Sequence, residues 1–196
     1  ADMMRSPRPD WTFEVFQVKD GVFPSDLSPF DGVIITGSPA SANSGQGWVA
    51  RLLDLIREMV RDGVPVFGAC FGHQAIAVAL GGKVGPNPDG LVHGLTRNTV
   101  LRRPDWASDL PGELKLYGSH EEQVTDLPEG AEVYSSSAQA PVTGFTIGNR
   151  IYSTQHHPEM TPEFIAALPD AMAGDMGHET AARARRSLAE PAGGVV

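Results

Sequence analysis

The chain predicts an α/β protein built on an open, largely parallel sheet with helices on both faces and an antiparallel extension. Three observations predict it: a strand, loop, helix, strand, turn, helix rhythm up to residue 80, a glycine-flanked sharp turn at residues 68–72, and a change after Leu91 to short alternating pieces. Residues 11–18 alternate as a strand, and residues 33–36 read as a short buried one. Residues 48–61 carry helical spacing through Val49, Leu52, Leu53, Ile56 and Val60, closed by Gly63. Residues 64–67 form an apolar strand, and residues 75–80 a helical apolar run that stops at Gly81-Gly82. Further strands are expected around residues 96–101, 113–116, 131–135, 142–147 and 150–154, with Gly148-Asn149 as a hairpin turn and Glu121-Glu122 as a solvated turn. A parallel sheet of this kind binds its ligands at the carboxyl ends of its strands.

At 196 residues the chain fits one domain, long enough for a real core and too short for two large ones. A net charge of -9 leaves no basic stripe to neutralise phosphates, which argues against a nucleic-acid partner. No apolar run approaches the roughly 20 residues of a membrane-spanning helix, and the polar, proline-containing start does not read as a signal peptide. A single cysteine suits the reducing cytoplasm. No internal repeat is visible.

That cysteine, Cys70, is the most informative residue. It sits in Gly68-Ala-Cys-Phe-Gly72, between an apolar strand and a helix, which has the form of an elbow that accepts backbone strain to project a nucleophile above a parallel sheet. The helix N-terminus would favour negative charge on its sulfur. A small buried hydrophobe is the ordinary fate of a free cysteine, but such a residue needs neither the flanking glycines nor the strand-to-helix change.

A nucleophilic thiol needs a base, and six histidines are available: His73, His93, His120, His156, His157 and His178. The pair His156-His157 follows a strand and precedes Pro158, which biases His157 out of the α region and ends the strand there. Glu159 is placed to accept a ring N–H, fix the tautomer and stabilise imidazolium. The histidines otherwise lack the clustered spacing of a catalytic zinc site. Neither Gly81-Gly82 nor the Gly37 segment ends in the Gly-Lys-Ser/Thr of a phosphate loop. No metal and no cofactor is expected.

Gly-Ala-Cys-Phe-Gly-His-Gln74 together with Gln155-His-His-Pro-Glu159 resembles the class I glutamine amidotransferases, whose glutaminase domains carry G-x-C-x-G-x-Q and a later Q-x-H-P-E. Ile34-Ile-Thr-Gly-Ser-Pro-Ala-Ser41 is similar to the family's oxyanion loop, and Tyr117-Gly-Ser-His-Glu-Glu-Gln-Val124 to its S-H-x-x-x-V segment. The resemblance runs from Asp31 to Glu159. It implies a flavodoxin-like sheet, with Cys70 as nucleophile, His157 (the histidine directly before Pro-Glu) as general base and acid, and Glu159 as its orienting carboxylate. The backbone N–H of Phe71 and one from the Gly37-Ser38 turn would make the oxyanion hole, Gln74 would line the substrate pocket, and Ser119 with His120 would hold the substrate's amino-acid end.

The activity implied is attack on the carboxamide of glutamine, a γ-glutamyl thioester, and release of ammonia and glutamate. Gly-Ser-Pro in place of Gly-Gly-Pro, with Cys-Phe-Gly-His-Gln, looks most like a stand-alone, GMP synthetase-like branch. Nothing in the chain resembles a nucleotide-binding domain, so the resemblance implies a small substrate, glutamine or another γ-glutamyl compound, and either a subunit that feeds ammonia to a separate synthase or a free-standing hydrolase. Two alternatives stay open: a hydrolase or peptidase of another γ-glutamyl compound, and a non-catalytic glutamine-binding regulatory relative. A cysteine-elbow peptidase would use a histidine soon after the cysteine, but His73 lies along the same helix and turned from the elbow tip. Against the family pattern, residues 1–10 and 169–196 read as remnants of terminal elements, with a first strand and a last helix missing and an alanine- and arginine-rich helix over residues 179–188.

Overall fold

A computed structural model describes residues 8–171, 182 and 186–188. In chain order its main elements are β1 (Val33–Ile35), α1 (Gly47–Arg61), β2 (Val66–Ala69), α2 (Phe71–Ala79), β3 (Lys83–Pro86), β4 (Val92–Val100), β5 (Glu113–His120), β6 (Glu122–Asp126), β7 (Ala131–Ser136), β8 (Gly144–Ile147), β9 (Ile151–Thr154) and α3 (Pro162–Ala171). Seven strands form one sheet in the order β1-β2-β9-β8-β7-β4-β5. β1, β2 and β9 run parallel, in register Val33↔Val66 and Val66↔Ile151, and the remaining neighbours pair antiparallel. This is the open α/β sheet with an antiparallel extension that the sequence predicts.

The parallel part positions the site. β9 arrives by an antiparallel hairpin from β8 and slots in beside β2, so three strands far apart in sequence end on the same side. The residues just past those ends are Gly37, Cys70 and His157. Helix α1 covers the core with Val49, Leu52, Ile56 and Met59, all buried, each such side chain contributing about 1.5–3 kcal/mol of transfer free energy. Gly63, at φ +73°, closes it with its N–H on Val60 O at 3.2 Å. Helix α2 is buried nearly all round, with His73, Ala75, Ile76 and Ala77 at 0 % exposure. That explains its lack of an amphipathic pattern.

Several elements differ from the sequence expectation. Residues 11–17 form no strand, and a 3-10 turn follows at Val18–Asp20. Among the described residues no strand lies beside them to pair with, Val15 is 69 % exposed, and Phe16 packs edge-on against Phe30 instead. β1 is shorter than expected and only Ile35 in it is buried, because β1 lies at the sheet edge. Glu122 is not in a solvated turn but begins β6, which pairs with β3 as a separate two-stranded sheet. Neither strand alternates cleanly; the pair forms because Gly82 and Glu121 deliver the chain there, with Val84 and Val124 buried between sheet and core. The helix expected over residues 179–188 lies largely outside the described residues.

Candidate active site

The elbow is set by steric necessity. A Cβ on Gly68 would lie 2.6 Å from Ile76 Cδ1 and 2.7 Å from Gly72 C, and one on Gly72 would strike the Ile35 carbonyl. Only glycines let β1, β2 and α2 approach this closely. Between them Cys70 adopts φ 52°, ψ −106°, the one non-glycine residue at positive φ among the described residues. Such a conformation costs on the order of 1–3 kcal/mol and persists only where the surroundings over-determine it. Here Cys70 N–H donates to Thr154 O at 2.8 Å, and Cys70 O accepts from Gln74 N–H at 3.1 Å. The strain places the sulfur at the N-terminus of α2, where the first-turn N–H groups, Phe71 among them, lack helical acceptors.

His157 comes to the same point. Its backbone N–H donates to Tyr117 O at 2.8 Å in an isolated bridge to β5, which fixes the chain after β9. Nδ1–H donates to Glu159 Oε1 at 2.7 Å, so Nε2 is the ring nitrogen left for the Cys70 side chain. One position beside Gly37, where a Cβ would stand, lies 2.7 Å from His157 Cε1 and 3.7 Å from Cys70 Cβ. Cys70, His157 and Gly37 therefore surround one small volume. Cys70 is 7 % exposed and His157 6 %.

Electrostatics follow from these contacts. Burial opposes charge on His157, but hydrogen bonds and charge attraction from Cys70 and Glu159 outweigh it and raise its pKa to about 9. Burial likewise opposes charge on Glu159, and the His157 hydrogen bond and charge win, holding it below its usual value. By linkage, His157 stabilises the fold fully below about pH 6.5 and loses that contribution as pH rises through about 9.

The expected pocket residues gather around the pair. Gln74 Nε2 donates to Glu122 O at 2.9 Å and to Gln155 Oε1 at 3.2 Å. Ser119 O lies 3.9 Å from Cys70 Sγ, while its hydroxyl meets His93 Nδ1 at 3.2 Å. His120 Nδ1 donates to Glu122 O at 2.9 Å. Ser38 Oγ accepts from Ala40 N–H at 3.2 Å, a bond within its own turn. No group of three or more metal-type side chains with ligand geometry occurs among the described residues.

Sequence reasoning assigned no role to four neighbours. Ser41 Oγ donates to Glu122 Oε1 at 3.1 Å, tying the loop after β1 to β6. His93 links Ser119 to the Ile165 carbonyl of α3, 3.4 Å away. Gln155 Nε2 approaches Cys70 Sγ at 4.0 Å. His156, 1 % exposed, packs 5.6 Å from His120, and neither of its ring nitrogens has a hydrogen-bond partner. The Gln-x-His-Pro-Glu spacing marked Gln155 as close to the base, and His156 stood out only as the neighbour of His157; nothing beyond its residue type marked His93.

Burial holds His73 at about 3, His120 at about 4 and His156 well below the usual imidazole value, with neighbouring imidazoles adding to the effect. These depressed values mean that the unfolded chain binds more protons below pH 6.5, so stability is full above that pH and falls as the solution is acidified. His156→Phe should remove one such proton and stabilise the protein at pH 5 relative to pH 7.5 by about 2 kcal/mol against the parent. Urea unfolding at the two pH values checks this; equal shifts at both would contradict it.

The cysteine elbow, the His-Pro-Glu segment and the glycine loop meet at the ends of the parallel strands of an open α/β sheet. The family model for glutamine amidotransferase class-I matches residues 10–165, and the chain belongs to that family. It is 33% identical over 166 residues to gamma-glutamyl peptidase 3 of Arabidopsis thaliana, covering 81% of this chain and 67% of that one. It is 36% identical over 140 residues to a glutamine-hydrolyzing GMP synthase of Porphyromonas gingivalis, covering 70% of this chain but only 26% of the synthase. A glutamine amido transferase from Methylobacillus flagellatus superposes with a TM-score of 0.79 at 25% identity, over 89% of this chain and 70% of its own. The chain thus spans about two thirds of the length of the peptidases it matches. No helix of the described residues is long and apolar enough to cross a membrane.

Proposed function

We propose that this protein hydrolyses a γ-glutamyl carboxamide, with glutamine as the reference substrate, through a covalent thioester on Cys70. The carrying observation is that Cys70, at the tip of a strained elbow, and His157, whose Nδ1–H donates to Glu159 Oε1 at 2.7 Å, border the same small volume beside Gly37. In the first step the Cys70 sulfur attacks the substrate carbonyl carbon, a C–S bond forms, and the C=O electron pair moves onto oxygen. N–H groups of Phe71 and of the Gly37-Ser38 turn receive that oxyanion. The electron pair returns, the C–N bond breaks, and the His157 Nε2 proton leaves on ammonia. Water attacks the thioester carbonyl carbon as His157 takes its proton, a C–O bond forms, the C–S bond breaks with its electron pair going to sulfur, and glutamate departs from the regenerated thiolate. Glu159 keeps Nδ1 protonated so that Nε2 exchanges the proton. Gln74, Ser119 and His120 line the pocket that holds the substrate's amino-acid end.

A second reading keeps the same steps and changes the leaving group to the amine of a γ-glutamyl peptide. It is favoured by the likeness to gamma-glutamyl peptidase 3. Where the leaving group is ammonia, a synthase is the partner that consumes it, as the likeness to a glutamine-hydrolyzing GMP synthase suggests. Ammonia release from glutamine, compared with amine release from γ-glutamyl dipeptides, decides between them. Covalent labelling of Cys70 by a thiol-directed glutamine analogue should block either activity; protein that binds glutamine, resists labelling and turns nothing over would be a regulatory relative.

Glu159→Gln should lower kcat by roughly 10- to 100-fold, because it aims the base without bonding to substrate. It also removes a group that raises the His157 pKa. The alkaline limb of the rate profile should therefore move to lower pH, a shift that steady-state assays between pH 6 and 10 would resolve.

A further inference from the structure

Gln155 follows β9 directly, is fully buried, and is held in one sense. Its backbone N–H donates to Thr143 O at 2.9 Å. Gln74 sets the direction of its side chain. Gln74 Nε2 donates to the Glu122 carbonyl, which can only accept, so the atom of Gln74 at that position is the nitrogen. The atom of Gln155 facing the same nitrogen at 3.2 Å must then be Oε1. The NH2 group is left facing Cys70 Sγ at 4.0 Å. Turned the other way, the amide would set nitrogen against nitrogen and an oxygen lone pair against the sulfur.

Besides His157, the sulfur has the Ser119 carbonyl near it at 3.9 Å, which attracts a thiol proton and repels a thiolate. Gln155 supplies a donor that works in the opposite sense. A separation of 4.0 Å is long for a neutral thiol, but hydrogen bonds to charged acceptors shorten, and those of a resting site tighten when the reaction begins.

We propose that Gln155 is a positioning residue for the nucleophile: its Nε2–H donates to the charged sulfur of Cys70, with Gln74 and the Glu122 carbonyl fixing the amide for that task. This rests on Cys70 being the nucleophile, and gives the Gln-x-His-Pro-Glu segment two duties, setting the base and setting the thiolate. Gln74 then acts through Gln155 as well as on substrate.

The test is the pH dependence of iodoacetamide alkylation, unambiguous because the chain has one cysteine. Gln155→Leu removes the donor, and its alkylation midpoint should rise by about one pH unit, with roughly tenfold slower reaction on the acid limb. Gln155→Glu keeps the size and still accepts from Gln74, but sets negative charge beside the sulfur, so its midpoint should rise further. A merely structural role would lower the melting temperature and leave the Leu profile on that of the parent. Superposition of either folded variant's profile on the parent's overturns the proposal, and the near-isosteric Glu variant carries the test where Leu fails to fold. Alkylation needs no substrate. A parent whose midpoint depends on Gln155 but which releases no ammonia or amine removes the proposed hydrolysis and leaves this inference, whereas an active parent with superposed profiles does the reverse.

Discussion

Cys70→Ala is expected to fold like the parent and to lose turnover by at least about 10⁴-fold. Folding should survive because alanine keeps the Cβ, so the positive φ of 52° is no more strained than before. The elbow's supports lie elsewhere, in Gly68, Gly72 and the Cys70 N–H to Thr154 O bond. Loss of one buried sulfur leaves a small void and costs on the order of 1–2 kcal/mol. The chemistry has no substitute, because no other cysteine exists in the chain. His157 also loses the hydrogen bond and charge that the sulfur gives it, so its pKa falls and the alkaline loss of stability moves to lower pH. Turnover of glutamine and γ-glutamyl dipeptides, set beside melting curves, tests both halves. Retained hydrolysis in a folded Cys70→Ala chain would remove the thioester from the mechanism.

What sequence could reveal here depended on whether the constraint was local. The elbow was legible because Gly68 and Gly72 flank Cys70 within five residues between a strand and a helix pattern, and α1 because its apolar positions recur at helical spacing. The juxtaposition of Cys70 and His157 came from resemblance, since nothing in a single sequence says that β9 inserts beside β2. Residues 11–18 misled for the same reason: alternation signals a strand only when a partner strand is present, and no strand of the described residues pairs with them. β3 and β6 hid because pairing, not propensity, makes them strands. Gln155 and His93 act through contacts across the sheet, Gln155 to Gln74 and Cys70, His93 to Ser119 and Ile165. Those contacts have no periodicity to read.

Gly37→Ala should cut kcat by about 100-fold while leaving the protein folded. Its backbone is not in the left-handed region, so alanine adopts the native φ without strain and the added methyl is the whole perturbation. That methyl would sit 2.7 Å from His157 Cε1, well inside the 3.4 Å at which ordinary contact begins. Something must move. The His157 backbone is held by Tyr117 O at 2.8 Å, and its Nδ1 by Glu159 at 2.7 Å. The ring therefore yields by turning about its own side-chain bonds, which takes Nε2 off the sulfur or Nδ1 off the carboxylate. Misplacement on the scale of an ångström costs about 10²-fold in rate, and overpacking of this kind about 1–3 kcal/mol in stability. Ser38→Ala, one residue on, loses only the turn bond to Ala40 N–H and should change kcat less than about twofold. The contrast separates a loop that must be thin beside the imidazole from one that contributes side-chain chemistry. Parity of the two variants would mean that His157 does not need its present position, and the Cys70–His157–Glu159 line would then not be the catalytic one.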